Sequence, residues 1–419
     1  MKVNQRRKLD NSAQLFPLIS TKNFSTVFRL SCVLKEKIQP NVLQQAVQKG
    51  LDCFPCFRVK MKRDFFNYYL ESNEEEPVIK KEGKYPCRYI NPKDNHDYLF
   101  QVMYGENTIH LDIFHALTDG NYGMKFLKEI VYQYLEIAHE ELMQNNIRVE
   151  RLMDYTVEDS YLVNYDKHLK GVPNTKRAFL LKGKNVKLGK VGVQHVKINL
   201  TQLKNKVKQA KVTMTQYLTA MLIDAIYEVN YKRQKGKRPI KICIPVDLRK
   251  YFNSKTVSNF FSYITVETHM KEQETFESIL QYVKKDFQAK LTEEEMKKTM
   301  SMNVKLGTNP WIRTMPLDIK KMALKIGYGT VQKYTTATLS NIGKIGVIAD
   351  YKPYIETFLF CLAPELVERV KCAVCSFEDT VVFTFTSILQ DTSMQQFFVD
   401  LLKKNQIAVC METNEFSVL

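Results

Sequence analysis

One stretch constrains this chain more than any other: Ile109-His110-Leu111-Asp112-Ile113-Phe114-His115-Ala116-Leu117-Thr118-Asp119-Gly120. Ile109, Leu111, Ile113 and His115 share one parity, so on a strand they point to the same face, which is apolar until His115. After Gly120, the residues Phe126, Leu127, Ile130, Val131, Tyr134 and Leu135 recur at helical spacing. Thr118 or Asp119 is placed to accept from the first free amides of that helix. His115 is therefore expected at the inward-facing end of a strand, just before a helix. An imidazole there is either a hydrogen-bonded core residue or a general base, because it titrates near neutrality and can take a proton from an alcohol, amine or thiol. The spacing His-x-x-x-Asp-Gly favours the base: the acidic side chain can brace the turn, and the glycine leaves room for a ligand.

At 419 residues the chain exceeds what one core supports, and 44% hydrophobic content with 11% aromatics suffices for two cores. The basic start Met1–Asp10 has no apolar run behind it, so no secretory signal is expected, and no segment is apolar for long enough to span a bilayer. Nine scattered cysteines, an odd number, fit free thiols in a reducing compartment, and a cytoplasmic monomer is expected. Cys53/Cys56 and Cys372/Cys375 have zinc-like spacing. However, Cys372 and Cys375 lie in a strand-like run where positions three apart face opposite sides, and Cys53 and Cys56 flank Pro55 at a helix-to-strand junction. No metal is expected. The formal charge of +17 implies attraction to anions: nucleic acid, anionic lipid, an acidic partner protein or a polyphosphorylated small molecule. The runs Lys182–Lys190 and Lys232–Arg238 lack the interleaved aromatics or helix-turn-helix spacing of a nucleic-acid site, so no nucleic-acid partner is expected.

Along the chain, a strand over Phe24–Leu34 precedes a helix over Gln39–Leu51. Paired strands follow around Lys62-Arg63-Asp64, then a hairpin of Tyr98–Tyr104 and Thr108–Phe114, and the helix after Gly120. Residues 1–165 read as a first lobe. A polar stretch, 166–190, punctuated by Gly171, Pro173, Gly183 and Gly189, reads as a crossing. Residues 191–419 read as a second lobe: strands Val191–Leu200, Lys241–Val246 and Phe260–Thr268, four more between Thr336 and Thr386, and helices Thr213–Tyr231, Thr275–Leu291, Leu317–Ile326 and Thr392–Asn405. An α/β chain with two sheet-containing halves and a ligand site between them is expected.

His115-Ala116-Leu117-Thr118-Asp119-Gly120 resembles the His-x-x-x-Asp-Gly motif of the chloramphenicol acetyltransferase-like superfamily, which includes condensation domains, plant alcohol acyltransferases and polyketide-associated acyltransferases. Ile244-Pro245-Val246-Asp247-Leu248-Arg249 followed by Asn259-Phe260-Phe261-Ser262-Tyr263, then Thr338-Leu339-Ser340-Asn341-Ile342-Gly343, resemble further family segments, as does Arg58 after Phe54-Pro55-Cys56-Phe57. The likeness covers almost the whole chain and is closest to bacterial alcohol acetyltransferase-like members. It implies two lobes, each a mixed sheet with flanking helices, with a tunnel between them in which His115 takes the acceptor's proton. It also implies that Asp119, with Gly120, is structural and paired with Arg249, and that Ser340, Asn341, Asn259 and Tyr263 are tunnel or oxyanion candidates. For Ser340 and Asn341, a turn held by local hydrogen bonds is the alternative. Condensation domains carry two adjacent histidines where this chain has Phe114 and His115. The one tryptophan, Trp311, lies outside any Asp-Phe-Gly-Trp-Gly segment of the plant type.

The implied activity is transfer of an acyl group from acyl-CoA, as co-substrate rather than bound cofactor, to a hydroxyl or amine of a small molecule. A thioester is already activated, so one base and one oxyanion donor suffice. A carrier-protein-dependent transferase using acyl carrier protein is the alternative. A non-catalytic module that keeps the fold predicts that His115→Ala changes nothing.

Overall fold

The computed structural model describes residues 6–143, 155–169, 171, 176–271 and 273–414. Met1–Gln5 and Pro173 of the expected crossing lie outside them. The elements that position the site are, in chain order, β1 (Val27–Leu34), α1 (Pro40–Cys53), β2 (Phe100–Tyr104), β3 (Thr108–Phe114), α2 (Gly120–Ala138), β4 (Gly192–Asn199), α3 (Met214–Ala225), β5 (Ile240–Asp247), β6 (Phe261–Thr268), α4 (Phe276–Lys290), β7 (Ala337–Lys344), β8 (Ile355–Leu362), β9 (Val370–Phe377), β10 (Thr380–Ser387), α5 (Ser393–Lys404) and β11 (Val409–Thr413).

The first sheet runs β8-β1-β3-β2 and ends on the short strand Lys80–Lys81. Its members alternate in direction except for the last, which is parallel to β2. Helices α1 and α2 pack on it, and Gly123 of α2 makes the closest approach: a Cβ there would lie 2.6 Å from Ile113 Cδ1 and 3.1 Å from Leu30 Cδ1. The second sheet has seven strands in the order β6-β5-β7-β9-β10-β4-β11. It is mixed, with β7 parallel to both neighbours and the other pairs antiparallel. α3, α4 and α5 cover one face. α3 is buried all round and opens on a capping box, with Thr213 and Gln216 each satisfying the other's backbone amide.

The two cores meet across β9. Cys372 and Val374 belong to the helix-covered core, whereas Ala373 and Cys375 join the core of the first sheet, and Cys375 Sγ lies 3.2 Å from the Phe358 carbonyl of β8. The two cysteines therefore face opposite sides of one strand.

Strand pairing crosses the expected boundary at 166–190. β8 comes from the second half and pairs with β1, so the C-terminal segment supplies an edge strand to the N-terminal sheet. Its apolar alternation suits either sheet, and pairing partners do not show in a strand's own pattern. Within the expected crossing, Phe179 and Leu181 are buried in the second core. The helix expected over Thr213–Tyr231 leaves α-geometry at Ile226 and finishes as a π-turn over Ile226–Tyr231.

Candidate active site

His115 follows the last residue of β3 and its amide donates to the Thr26 carbonyl at 3.0 Å, which fixes the chain where strand becomes turn. Three rings surround the imidazole. Phe16 stacks on it at 4.5 Å between centroids, Phe28 meets it edge-on at 5.0 Å, and Phe261 of β6 lies 5.5 Å away. Burial in this apolar setting pushes the His115 pKa below its ordinary value, more than Asp119 and Asn259 push it up. The ring is therefore neutral at neutral pH.

Which nitrogen holds the proton follows from the neighbour. The Asn259 side-chain amide donates through Nδ2 to the His115 carbonyl at 2.9 Å, which can only accept, and to Asp10 Oδ2 at 3.2 Å. That orientation turns Asn259 Oδ1 toward His115 Nδ1 at 3.0 Å, so Nδ1 must be the donor and Nε2 keeps its lone pair. Asp10 in turn accepts from the Asn259 backbone amide at 3.0 Å and, on its other oxygen, from the amides of Ser12 and Ala13. Burial pushes its carboxyl up to about 7 against these hydrogen bonds. Asp10, Asn259 and His115 thus form a relay of orientation that ends on an unprotonated nitrogen.

The turn after His115 is locked from the second half. Thr118 Oγ1 donates to the Val257 carbonyl at 2.7 Å, and Asp119 is the N-cap of α2, accepting from the amides of Asn121 and Tyr122. Its other oxygen takes Arg249 Nη2 at 2.7 Å and the Phe260 amide at 3.2 Å. Arg249 also binds Asp247 Oδ1 at 3.0 Å and the carbonyls of Thr256 and Ser258 at 2.9 and 2.7 Å. The Asp119 carboxylate is thus consumed by structure and is not directed at the imidazole. A Cβ on Gly120 would lie 3.4 Å from Ile342 Cγ2, so the helix start and the Ser340–Gly343 segment approach closely.

The remaining candidates separate. Register places Cys243 and Pro245 of β5, Tyr263 of β6, Thr338 and Ser340 of β7 and Lys371 of β9 on one face of the second sheet, the face of Ala373 that packs toward the first sheet. Ser340 and Tyr263 therefore share the wall from which Phe261 reaches His115. Asn341 points elsewhere: Nδ2 donates to Thr215 Oγ1 at 3.0 Å and Oδ1 accepts from Gly343 N at 2.8 Å, the turn-holding alternative. Gly343 takes φ +78°, which favours glycine. Asn259, expected among the oxyanion candidates, has both amide atoms committed to His115 and Asp10.

Sequence reasoning missed Asp10, Phe16 and Phe28. Asp10-Asn11-Ser12 carries the signal of a side-chain-capped turn, but nothing in it points to position 259. It also missed Lys371, whose charge contributes to lowering the His115 pKa and which is held by Glu365 at 2.5 Å and Glu368 at 3.5 Å. Among the described residues no group of three or more His, Cys, Asp or Glu is arranged to hold a metal ion.

Similarity to known proteins narrows what this arrangement serves. A family model for alcohol acetyltransferase matches residues 184–406, more than half of the chain. No curated protein matches the sequence. Among solved structures, TRI101 of F. graminearum complexed with coenzyme A and T-2 mycotoxin superposes with a TM-score of 0.68 at 12% identity, covering 97% of this chain and 100% of that one. Polyketide synthase associated protein 5 from Mycobacterium tuberculosis gives 0.59 at 13% identity, covering 94% and 96%. The starter condensation domain of rhizomide synthetase RzmA, as a mutant complexed with C8-CoA and Leu-SNAC, gives 0.59 at 12% identity, covering 96% and 94%. These likenesses give the fold, the two-lobed architecture of chloramphenicol acetyltransferase-like enzymes. The chain belongs to the alcohol acetyltransferase family and is an acyltransferase.

Proposed function

We propose that the protein transfers an acyl group from acyl-CoA to a hydroxyl, or an amine, of a small-molecule acceptor, with His115 as general base in a channel between the two sheets. The observation that carries this reading is the fixed tautomer: Asn259 holds the Nδ1 proton, so Nε2 is a ready acceptor in an apolar cradle. Nε2 removes the acceptor's proton as its oxygen adds to the thioester carbonyl. The tetrahedral intermediate then collapses, the C–S bond breaks, and the departing thiolate recovers the proton from Nε2. Ester and free CoA result, with no covalent enzyme intermediate. Ser340 and Tyr263, on the sheet face from which Phe261 reaches His115, are the remaining side-chain candidates for the oxyanion. The CoA complexes of TRI101 and the condensation domain support the donor class, as does the +17 charge.

The test is incubation with acetyl-CoA and a panel of alcohols and amines while free thiol is followed. Acceptor-dependent thiol release is expected. Thiol release that no acceptor stimulates contradicts the reading. The likeness to a condensation domain and the basic charge favour one second reading, a carrier-protein donor, which predicts turnover of acyl carrier protein and none of acyl-CoA.

A further inference from the structure

Six large apolar side chains stand out of the surface in one place. Phe65 is 67% exposed and Phe66 42%, at the tip of the hairpin Val59–Arg63/Tyr68–Ser72. Trp311 is 82% and Ile312 39% exposed on the short helix Pro310–Thr314, and Ile319 is 48% and Met322 63% exposed on the helix Leu317–Val331. Hydrogen bonds join the three elements into one face: the Leu317 amide donates to the Phe65 carbonyl at 2.9 Å, and Lys320 Nζ donates to the carbonyls of Phe66 and Arg313 at 2.9 and 3.2 Å. The basic groups at its edge are Arg63, Arg313 and Lys321, while Lys320 is buried beneath it. Of the two acids, Asp64 caps the amides of Phe66 and Asn67, and Asp318 lies 3.6 Å from Arg63.

A contiguous apolar patch of this kind marks an interaction surface. Its composition selects the partner. Tryptophan, phenylalanine, isoleucine and methionine entering the headgroup–acyl boundary, with arginine and lysine at headgroup level, is the chemistry of an interfacial lipid-binding face. The net charge of +17 adds long-range attraction to an anionic surface. None of the described helices is long and apolar enough to cross a membrane, so the association is peripheral. We propose that this face docks the protein on an anionic lipid bilayer. The helix Leu317–Val331 also packs on the short helix Phe16–Ile19, whose Phe16 stacks on His115, so a docked molecule carries the cover of its active site next to the lipid.

The chain has one tryptophan, Trp311, so its emission reports on this face alone. The full-length protein is titrated with vesicles of phosphatidylcholine and with mixed phosphatidylcholine–phosphatidylserine vesicles. With the mixed vesicles, a blue shift of Trp311 emission, protection from acrylamide and co-sedimentation that weakens with salt are expected. Phe65→Ser/Phe66→Ser should weaken vesicle binding at least about tenfold without changing the melting temperature. Arg313→Glu/Lys321→Glu should abolish the preference for phosphatidylserine. Trp311 emission unmoved by either vesicle overturns the proposal. So does co-sedimentation that both double variants retain, and so does concentration-dependent self-association that shields Trp311 without lipid, which would make the face a contact between copies.

Discussion

Replacing Asp119 by alanine removes a carboxylate that joins the two halves of the site. One oxygen accepts from Arg249 at 2.7 Å and from the Phe260 amide at 3.2 Å, and the other caps α2 through Asn121 and Tyr122. The side chains of Arg249 and Asp119 are only 9% and 8% exposed, so the pair is buried and removing one partner strands the other. Breaking a buried pair costs about 3–5 kcal/mol, and loss of an N-cap about 1 kcal/mol. Arg249 keeps Asp247 and two backbone carbonyls, which offset part of the exposed charge and hold the expected total near about 4 kcal/mol. At about 2 °C per kcal/mol for a chain of several hundred residues, Tm should fall by about 8 °C. Asp119→Asn keeps an oxygen for the helix amides and loses the charge, so it should melt between wild type and Asp119→Ala. Thermal melts followed by circular dichroism, with thiol-release kinetics below the transition, decide the matter. Equal melting of wild type and Asp119→Ala refutes the reasoning, as does full loss of turnover with Tm unchanged, which would place the carboxylate on the substrate.

Gly123→Val, which forces a branched side chain against Ile113, Leu30 and Phe28, should cost about 3 kcal/mol, and an unchanged melt contradicts the close packing of α2 on the first sheet. Asn259→Ala removes the acceptor for His115 Nδ1 and should lower kcat by about 10- to 100-fold. The Asn259 bond raises the His115 pKa, so the acid limb of the rate profile should move to lower pH in this variant, whereas a merely structural role leaves the limb in place. Asp10 is pushed up to about 7, so the folded state holds its proton more tightly: this group's contribution to stability is complete below the ordinary carboxylate range and fades as pH rises through about 7. His115, depressed, contributes in the opposite sense, with stability present above its ordinary pKa and lost as pH falls through the folded value. Because protonated Asp10 cannot accept all four N–H groups, turnover should fall below about pH 7. Asp10→Asn should remove that step and leave the lower limb of His115, and superimposable profiles refute it.

What the sequence revealed was local. Alternation through Ile113, the turn and the periodicity of Phe126 to Leu135 place His115 between a strand and a helix because each signal spans a few neighbouring residues. Asp119 was legible as one of two possible caps. Its pairing with Arg249, 130 residues away, came from the family likeness and not from spacing. The contacts that set the tautomer were not legible, since Asp10 and Asn259 lie 249 positions apart and only the closed fold brings them together. The β8 strand reads as a strand, but its sheet is chosen by tertiary packing. The helices Leu200–Gln209 and Glu293–Thr308 escaped notice because lysines and glutamates dilute their apolar stripe.

The central claim is that His115 Nε2 takes the acceptor's proton. Its most direct test is the rate of acceptor-dependent thiol release by His115→Ala beside wild type, at a pH where the imidazole is neutral. A fall in kcat of about 10²- to 10⁴-fold is expected, with melting close to wild type. Turnover within a few-fold of wild type by a folded His115→Ala protein would contradict it.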